Sequence, residues 1–239
     1  MKKLIIFDLD GTLNISKMPL DREMAIVFCK LLAKIKIAVI SGASFAQFKK
    51  QFLGSLNCDS ENFSKLFILP TNGSSLYKYE QGKWKVVYAE LFNLEEKEKI
   101  YKALKLAVPD INKEFIEDRG SQITYSALGQ KAPIELKKKW DPNHKKRGKI
   151  RRLLLLDLQE FEINIGGETS IDITKKGVDK AYGVQKIGDN LNISEKDMLF
   201  IGDAVFPGGN DYPVKKAGIE TIQVSGPEET KKIICKLLK

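Results

Sequence analysis

Leu4-Ile5-Ile6-Phe7-Asp8-Leu9-Asp10-Gly11-Thr12-Leu13 is the stretch that decides the fold. Four consecutive apolar residues run into an Asp. A short run that is apolar on both faces predicts a strand buried in a parallel sheet, ending at a functional loop. Asp8 and Asp10 lie two positions apart, so both carboxylates can point to one side of an extended segment. Two anions at the tip of an apolar strand are costly unless a cation or a reaction uses them. Asp8 suits a nucleophile or a metal ligand and Asp10 a general acid/base. Gly11 permits the sharp turn between strand and loop.

Working outward, Asp21 can cap a helix over 22–34, whose apolar positions form one stripe. A second strand over 37–40 stops at Ser41-Gly42, a helix runs from Ser44 to about residue 53, and a third strand covers 66–69. Strands alternating with helices predict right-handed crossovers and a parallel sheet. The pattern then changes. Residues 75–79 and 84–88 read as a hairpin, 95–107 as a helix, and 115–117 with 121–127 as a second strand pair. A helix follows over 147–158, then a hairpin of 161–165 and 169–173 around Gly166-Gly167. Alternation resumes with a helix near 178–187, a strand over 198–201, a helix near 211–217, a strand over 221–224 and a terminal helix from Pro227. The expected architecture is α/β: a discontinuous core of residues 1–80 and 176–239, with an α+β cap over 81–175 inserted between.

Composition excludes several classes. The chain has 239 residues with 43% hydrophobic and 30% charged, which fits a globular protein able to bury a core without staples. One histidine, His144, leaves no multi-His zinc site, and its polar surroundings read as a solvated loop. Cys29, Cys58 and Cys235 are odd in number and scattered, and read as reduced thiols of a cytoplasmic protein. No run of 18 apolar residues could span a membrane, and the N-terminal apolar run is too short for a signal peptide, so no membrane partner is expected. The net charge is +9, but Lys131–Arg152 holds ten basic and two acidic residues and so carries +8 of it. With Trp140, this segment supports a rival reading as a basic nucleic-acid-binding module. Only five Arg occur in the chain, and the favoured reading of the segment is a solvated cap loop and helix face.

Three further strand ends carry chemistry. Val39-Ile40-Ser41-Gly42 places a hydroxyl where it can bind a phosphoryl oxygen. Lys180 opens a helix. Phe200-Ile201-Gly202-Asp203, followed by Pro207-Gly208-Gly209-Asn210-Asp211, adds two carboxylates. Ligands gather at such ends in open α/β sheets, and converging oxygen ligands suit Mg²⁺.

In order and context these four motifs resemble the haloacid dehalogenase superfamily of phosphotransferases, along the whole chain. The resemblance implies a Rossmann-like core with an inserted α+β cap. It puts Asp8 on the nucleophile, Asp10 on the acid/base, Ser41 on the phosphate-binding hydroxyl and Lys180 on the stabilising lysine. It implies Mg²⁺ held by Asp8, Asp203, Asp211 and the backbone carbonyl of Asp10. Phe115-Ile116-Glu117-Asp118-Arg119, Ser126-Ala127-Leu128-Gly129 and Gly166-Gly167-Glu168-Thr169-Ser170-Ile171-Asp172 are similar to the cap of eukaryotic-type phosphomannomutases. That resemblance implies that Arg119, Ser170 and Asp172 hold a phosphorylated sugar, and that the cap pairs in a homodimer through a sheet edge. Gln130 and Lys137 stand where the family carries arginines, Lys17 replaces a third, and Ala204 follows Asp203 in place of a lysine. Lysine is a point charge rather than a bidentate fork, and Gln carries no charge. A mutase must retain a bisphosphate, so these departures favour a sugar-phosphate phosphatase, with phosphomannomutase as the alternative.

Overall fold

The computed structural model describes residues 2–15 and 17–239. The chain divides into two compact units, Met1–Ala89 with Asp179–Lys239, and Glu90–Val178. In chain order the elements are β1 (Leu4–Asp8), α1 (Arg22–Lys34), β2 (Lys36–Ile40), α2 (Phe45–Gln51), β3 (Leu66–Leu69), β4 (Ser75–Glu80) and β5 (Lys83–Ala89). Then follow α3 (Leu94–Ala107), β6 (Ile116–Asp118), β7 (Ile123–Ser126), α4 (Ile134–Trp140), α5 (Lys145–Asp157), β8 (Phe161–Gly166) and β9 (Ser170–Lys175). The last elements are α6 (Lys180–Leu191), β10 (Met198–Gly202), α7 (Tyr212–Lys216), β11 (Glu220–Gln223) and α8 (Pro227–Leu237).

The first unit is a seven-stranded sheet in the order β11-β10-β1-β2-β3-β4-β5. β11 through β3 are mutually parallel, and β4 and β5 add an antiparallel edge. β1 is apolar on both faces because both are covered. Ile5 and Phe7 pack with Ile37, Val39, Leu66 and Ile68 against α1 and α2. Leu4 and Ile6 pack with Ala38, Ile40, Phe67 and Leu69 against α6 and α7. Each fully buried Leu, Ile or Phe contributes about 1.5–3 kcal/mol. β5 pairs with β4 over its length, so the first segment of this unit runs to Ala89 rather than to residue 80.

The second unit is a four-stranded antiparallel sheet, β6-β7-β9-β8. One face carries Ile123, Tyr125, Ile163, Ile171 and Ile173, packed against Ile100 and Leu104 of α3 and Leu154 of α5. The alternate residues of β7 and β9, Thr124, Ser126, Ser170, Asp172 and Thr174, form the polar face.

Two expectations from the sequence are corrected here. Cys29 on α1 and Cys58, in the segment between α2 and β3, form a disulfide with Cα atoms 5.1 Å apart. Scattered spacing along the chain does not keep thiols apart in space, because α1 and the chain before β3 pack on the same side of the sheet. Cys235 is a free, exposed thiol. The basic segment is also not uniformly solvated. Arg147 and Lys137 are buried. Arg147 pairs with Asp141 at 2.9 Å, and its Nη1 donates to the carbonyls of Gly166 at 3.2 Å and Gly167 at 2.7 Å. Asp141 also accepts the backbone N–H groups of Lys146 and Arg147 at the start of α5. Burial pushes the Asp141 carboxyl up, but these donors outweigh it and hold it below the ordinary range. His144 is exposed and precedes α5 in a left-handed conformation.

Candidate active site

β1 and β10 are adjacent parallel strands, so their C-terminal ends form one edge of the sheet. Asp8 ends β1 and is buried. Lys180, the first residue of α6, is also buried, and its Nζ donates to Asp8 Oδ1 at 2.5 Å and to Asp211 Oδ1 at 2.6 Å. The other Asp211 oxygen accepts the Ala204 N–H at 3.0 Å. Asp8, Asp203 and Asp211 each offer one carboxylate oxygen, and these lie within 4.8 Å of one another. Gly11 has φ +90°, and a Cβ there would lie 2.7 Å from Asp203 Oδ2. The loop after β1 can therefore pass Asp203 only with glycine at this position.

Lys180 reaches the strand edge because α6 lies unusually close to the turn after β3. A Cβ on Gly183 would lie 2.7 Å from Gly73 Cα, 2.9 Å from Ile40 Cδ1 and 3.2 Å from Leu69 Cδ2. Two glycines face each other there, and backbone meets backbone. Asp179 caps the helix by accepting the Tyr182 N–H at 3.0 Å, which fixes where α6 begins.

The electrostatics follow from burial. Desolvation raises the Asp8 carboxyl well above its ordinary range, opposed by Lys180 and assisted by Asp211 and Asp203. Burial and the Asp211 charge push Asp203 up to about 6. Burial alone would lower the Lys180 ammonium, but Asp211 and Asp8 hold it above its ordinary value. Three carboxylates against one ammonium leave two negative charges unbalanced, which is what one divalent cation with hard oxygen ligands would neutralise. The donor set fits such an ion.

Asp10 is oriented differently. Its carboxylate accepts the Lys17 backbone N–H at 2.7 Å and the Ser41 hydroxyl at 3.3 Å. A part for Asp10 in a metal site would rest on its backbone carbonyl. Ser41 is buried at the end of β2, and its Oγ also accepts the Ala43 N–H at 3.1 Å. Sequence reasoning gave no role to Thr12, whose buried hydroxyl donates to Asp8 Oδ2 at 3.1 Å. A hydroxyl four residues beyond Asp8, after a glycine turn, was the available signal. It also missed Gly73 and Gly183, which no sequence pattern pairs.

In the second unit, the polar face gathers most of the remaining candidates. The Ser126 and Ser170 hydroxyls, cross-strand partners, are 2.8 Å apart. Gln130 Nε2 donates to Ser126 Oγ at 3.0 Å, and Lys137 Nζ donates to the Gln130 carbonyl at 2.7 Å. One register step along, Thr124 donates to Asp172 Oδ1 at 2.8 Å and receives Gln122 Nε2 at 2.8 Å. Arg119 stands at the β6–β7 turn, where its side chain pairs with Glu117 at 2.6 Å. Buried polar groups joined in this way form a pre-ordered surface rather than a collection of flexible side chains.

A family model described as eukaryotic phosphomannomutase matches residues 24–239, both units included. The chain belongs to that family. The model's match starts after β1, but full-length relatives cover the β1 motif as well. A phosphomannomutase of Encephalitozoon cuniculi is 29% identical, over 100% of this chain and 94% of its own. A Saccharomyces cerevisiae phosphomannomutase is 26% identical, over 98% and 93%. Among solved structures, a truncated Plasmodium falciparum IMP-nucleotidase superposes with a TM-score of 0.77 at 20% identity, covering 99% of this chain and 70% of that one. A Streptococcus mutans protein superposes at 0.71 with 16% identity, covering 100% and 99%. These likenesses show that the chain shares the fold of both structures. Family and fold together make the protein an enzyme of phosphoryl transfer.

Proposed function

We propose that this phosphoryl transferase is a phosphomannomutase, interconverting mannose 1-phosphate and mannose 6-phosphate through a phosphoryl group carried on Asp8. The observation that carries Asp8 as the acceptor is its burial at a strand end with Lys180 at 2.5 Å and the Thr12 hydroxyl at 3.1 Å. Membership of the mutase family, and relatives of that name over the full length, support isomerisation over hydrolysis.

In this reading Asp8 attacks one phosphorus of a hexose bisphosphate and the bond to the sugar oxygen breaks, leaving a sugar monophosphate. Asp10, held by Lys17 N–H and Ser41 Oγ, gives its proton to the departing oxygen. It then takes a proton from the free hydroxyl of a mannose phosphate, whose oxygen attacks the phosphoryl group, giving the bisphosphate and returning Asp8 to the free carboxylate. Lys180 and Ser41 stabilise charge on the equatorial oxygens. A Mg²⁺ ion held by Asp8, Asp203, Asp211 and the Asp10 carbonyl would neutralise phosphate charge. In the cap, Arg119, Gln130, Lys137, Ser170 and Asp172 form the surface that holds the sugar phosphate. A homodimer through a cap sheet edge and a cytoplasmic location belong to the same reading.

One observation favours hydrolysis as a second reading. Gln130 and Lys137 replace the expected arginines, and the Lys137 ammonium already donates to the Gln130 carbonyl. The assay separates the two. With mannose 1-phosphate, Mg²⁺ and a trace of hexose bisphosphate, the mutase yields mannose 6-phosphate with little free phosphate. Stoichiometric release of inorganic phosphate without the isomer would refute it in favour of the phosphatase.

A further inference from the structure

The outer face of α5 carries two features that the stability of the helix does not call for. Its first turn holds Lys145 and Lys146 and no acid, at the helix end where the macrodipole disfavours positive charge. Its last turns expose Leu153 and Leu156, 40% and 71% accessible, on the side away from the buried Leu154 and Arg147. At 3.6 residues per turn, Lys145, Lys146, Lys149, Arg152, Leu153 and Leu156 fall within an arc of about 120°. All six are exposed, and the only acid in the helix is its last residue, Asp157. Lys138 and Lys139 on α4 are exposed as well. With Lys137 and Arg147 buried and Arg151 donating to the Ile163 carbonyl, the stripe holds four of the remaining cations of the +8 segment: Lys145, Lys146, Lys149 and Arg152.

We infer that this stripe is a docking surface for an anionic lipid bilayer, bound at its surface and not crossed. Charge complementarity selects an anionic partner, since the four cations stand together with no ion-pair partner among the described residues, the Lys146 ammonium lying 5.0 Å from the Trp140 ring. The same argument disfavours a second copy of this chain, because two-fold pairing of the stripe would oppose like charges. The leucines select lipid over nucleic acid. Exposed aliphatic side chains beside lysines can enter the boundary between headgroup and acyl chain, but gain little from a phosphate backbone. The cations are mainly lysines, which suit diffuse attraction to a charged surface better than bidentate phosphate recognition.

The test uses the full chain, with co-sedimentation on vesicles of phosphatidylcholine alone and of phosphatidylcholine with about 30% phosphatidylserine. Each near-surface cation contributes roughly fivefold to partitioning. The triple variant Lys145→Glu, Lys149→Glu and Arg152→Glu should therefore lose binding to the anionic vesicles by about a hundredfold or more. Leu153→Ser with Leu156→Ser should lose severalfold at unchanged charge. Both variants alter exposed positions outside the active site, so circular dichroism and phosphoryl transfer should match the parent. The neutral variant Lys145→Gln with Lys149→Gln gives an intermediate loss and serves if charge reversal disturbs folding. Equal binding to both vesicle types, no binding to the anionic ones, or binding indifferent to the leucines would overturn the inference. So would a duplex oligonucleotide that binds more tightly than the vesicles and ignores the leucine changes; the face would then be a nucleic-acid site.

Discussion

Gly183→Ala places two opposing effects in competition, and the structure decides between them. Alanine is the better helix former by about 1 kcal/mol, so on propensity alone the change should stabilise α6. The new methyl, however, would lie 2.7 Å from Gly73 Cα and 2.9 Å from Ile40 Cδ1. Carbon atoms settle at about 3.5–4.0 Å, so helix and turn must separate by roughly 0.8 Å or more. Ile40 can change rotamer, but the Gly73 backbone has no such freedom. Overpacking of this kind costs about 1–3 kcal/mol, leaving a net loss of about 0–2 kcal/mol and a melting temperature lower by a few degrees. The larger consequence is at Lys180, one turn before Gly183. Its contacts at 2.5 Å and 2.6 Å stretch with the helix, and a misplacement of about 1 Å costs about a hundredfold in turnover. The assay pairs kcat on mannose 1-phosphate with a thermal melt. A variant that melts higher with unchanged kcat would refute the reasoning, because propensity would have won and the close approach would not position Lys180.

Asp8→Asn should abolish turnover while leaving the fold intact, since the amide keeps the shape of the carboxylate; residual activity above about a thousandth of the parent would reject transfer through Asp8. Asp141→Asn leaves Arg147 buried without its countercharge and should cost about 3–5 kcal/mol, read as a shift of the urea midpoint at constant slope. The metal-free protein should lose stability as pH rises. Asp203 titrates near 6 when folded and near 3.8 when unfolded, so the native state binds the extra proton between those values. Stability therefore falls from about pH 4 to about pH 6, and Mg²⁺ should restore it at pH 7 but not at pH 4. Melting curves with and without Mg²⁺ at both pH values check this, and a melting point that rises with pH in the chelated protein would contradict it.

The sheet and the core site were legible because their signals are local. Leu4–Phe7 is apolar at every position because helices cover both faces of β1, and Asp8 stands out at its end. The pairs that complete the site were not legible. Nothing near residue 73 announces that residue 183 will touch it, and Lys180, one of 35 lysines, is picked out by the family resemblance and not by its own surroundings. Charge in the cap misled for the same reason. Arg147 reads like its basic neighbours, yet its guanidinium is consumed by Asp141 and the Gly166-Gly167 carbonyls. α4 escaped notice because its residues, from Ile134 to Trp140, look like a polar loop in a basic run. The arginine departures at 130 and 137 drew the reading toward hydrolysis, whereas family membership supports the mutase. A residue swap at two positions cannot show how the rest of a polar face compensates.

The split of the larger unit into Met1–Ala89 and Asp179–Lys239 has a consequence for the order in which the molecule can be built. During vectorial synthesis the strand bearing Asp8 emerges first, but Lys180 lies 172 residues later and β10, its neighbour in the sheet, later still. The intervening cap is contiguous in sequence and closes its own core from local contacts, so it can fold while the larger sheet is still half made. Until the last segment docks, β1 presents an open edge with a buried-type anion at its tip. The nascent chain is therefore chemically inert and most exposed to aggregation at the same moment, and both conditions end together when β10 pairs with β1.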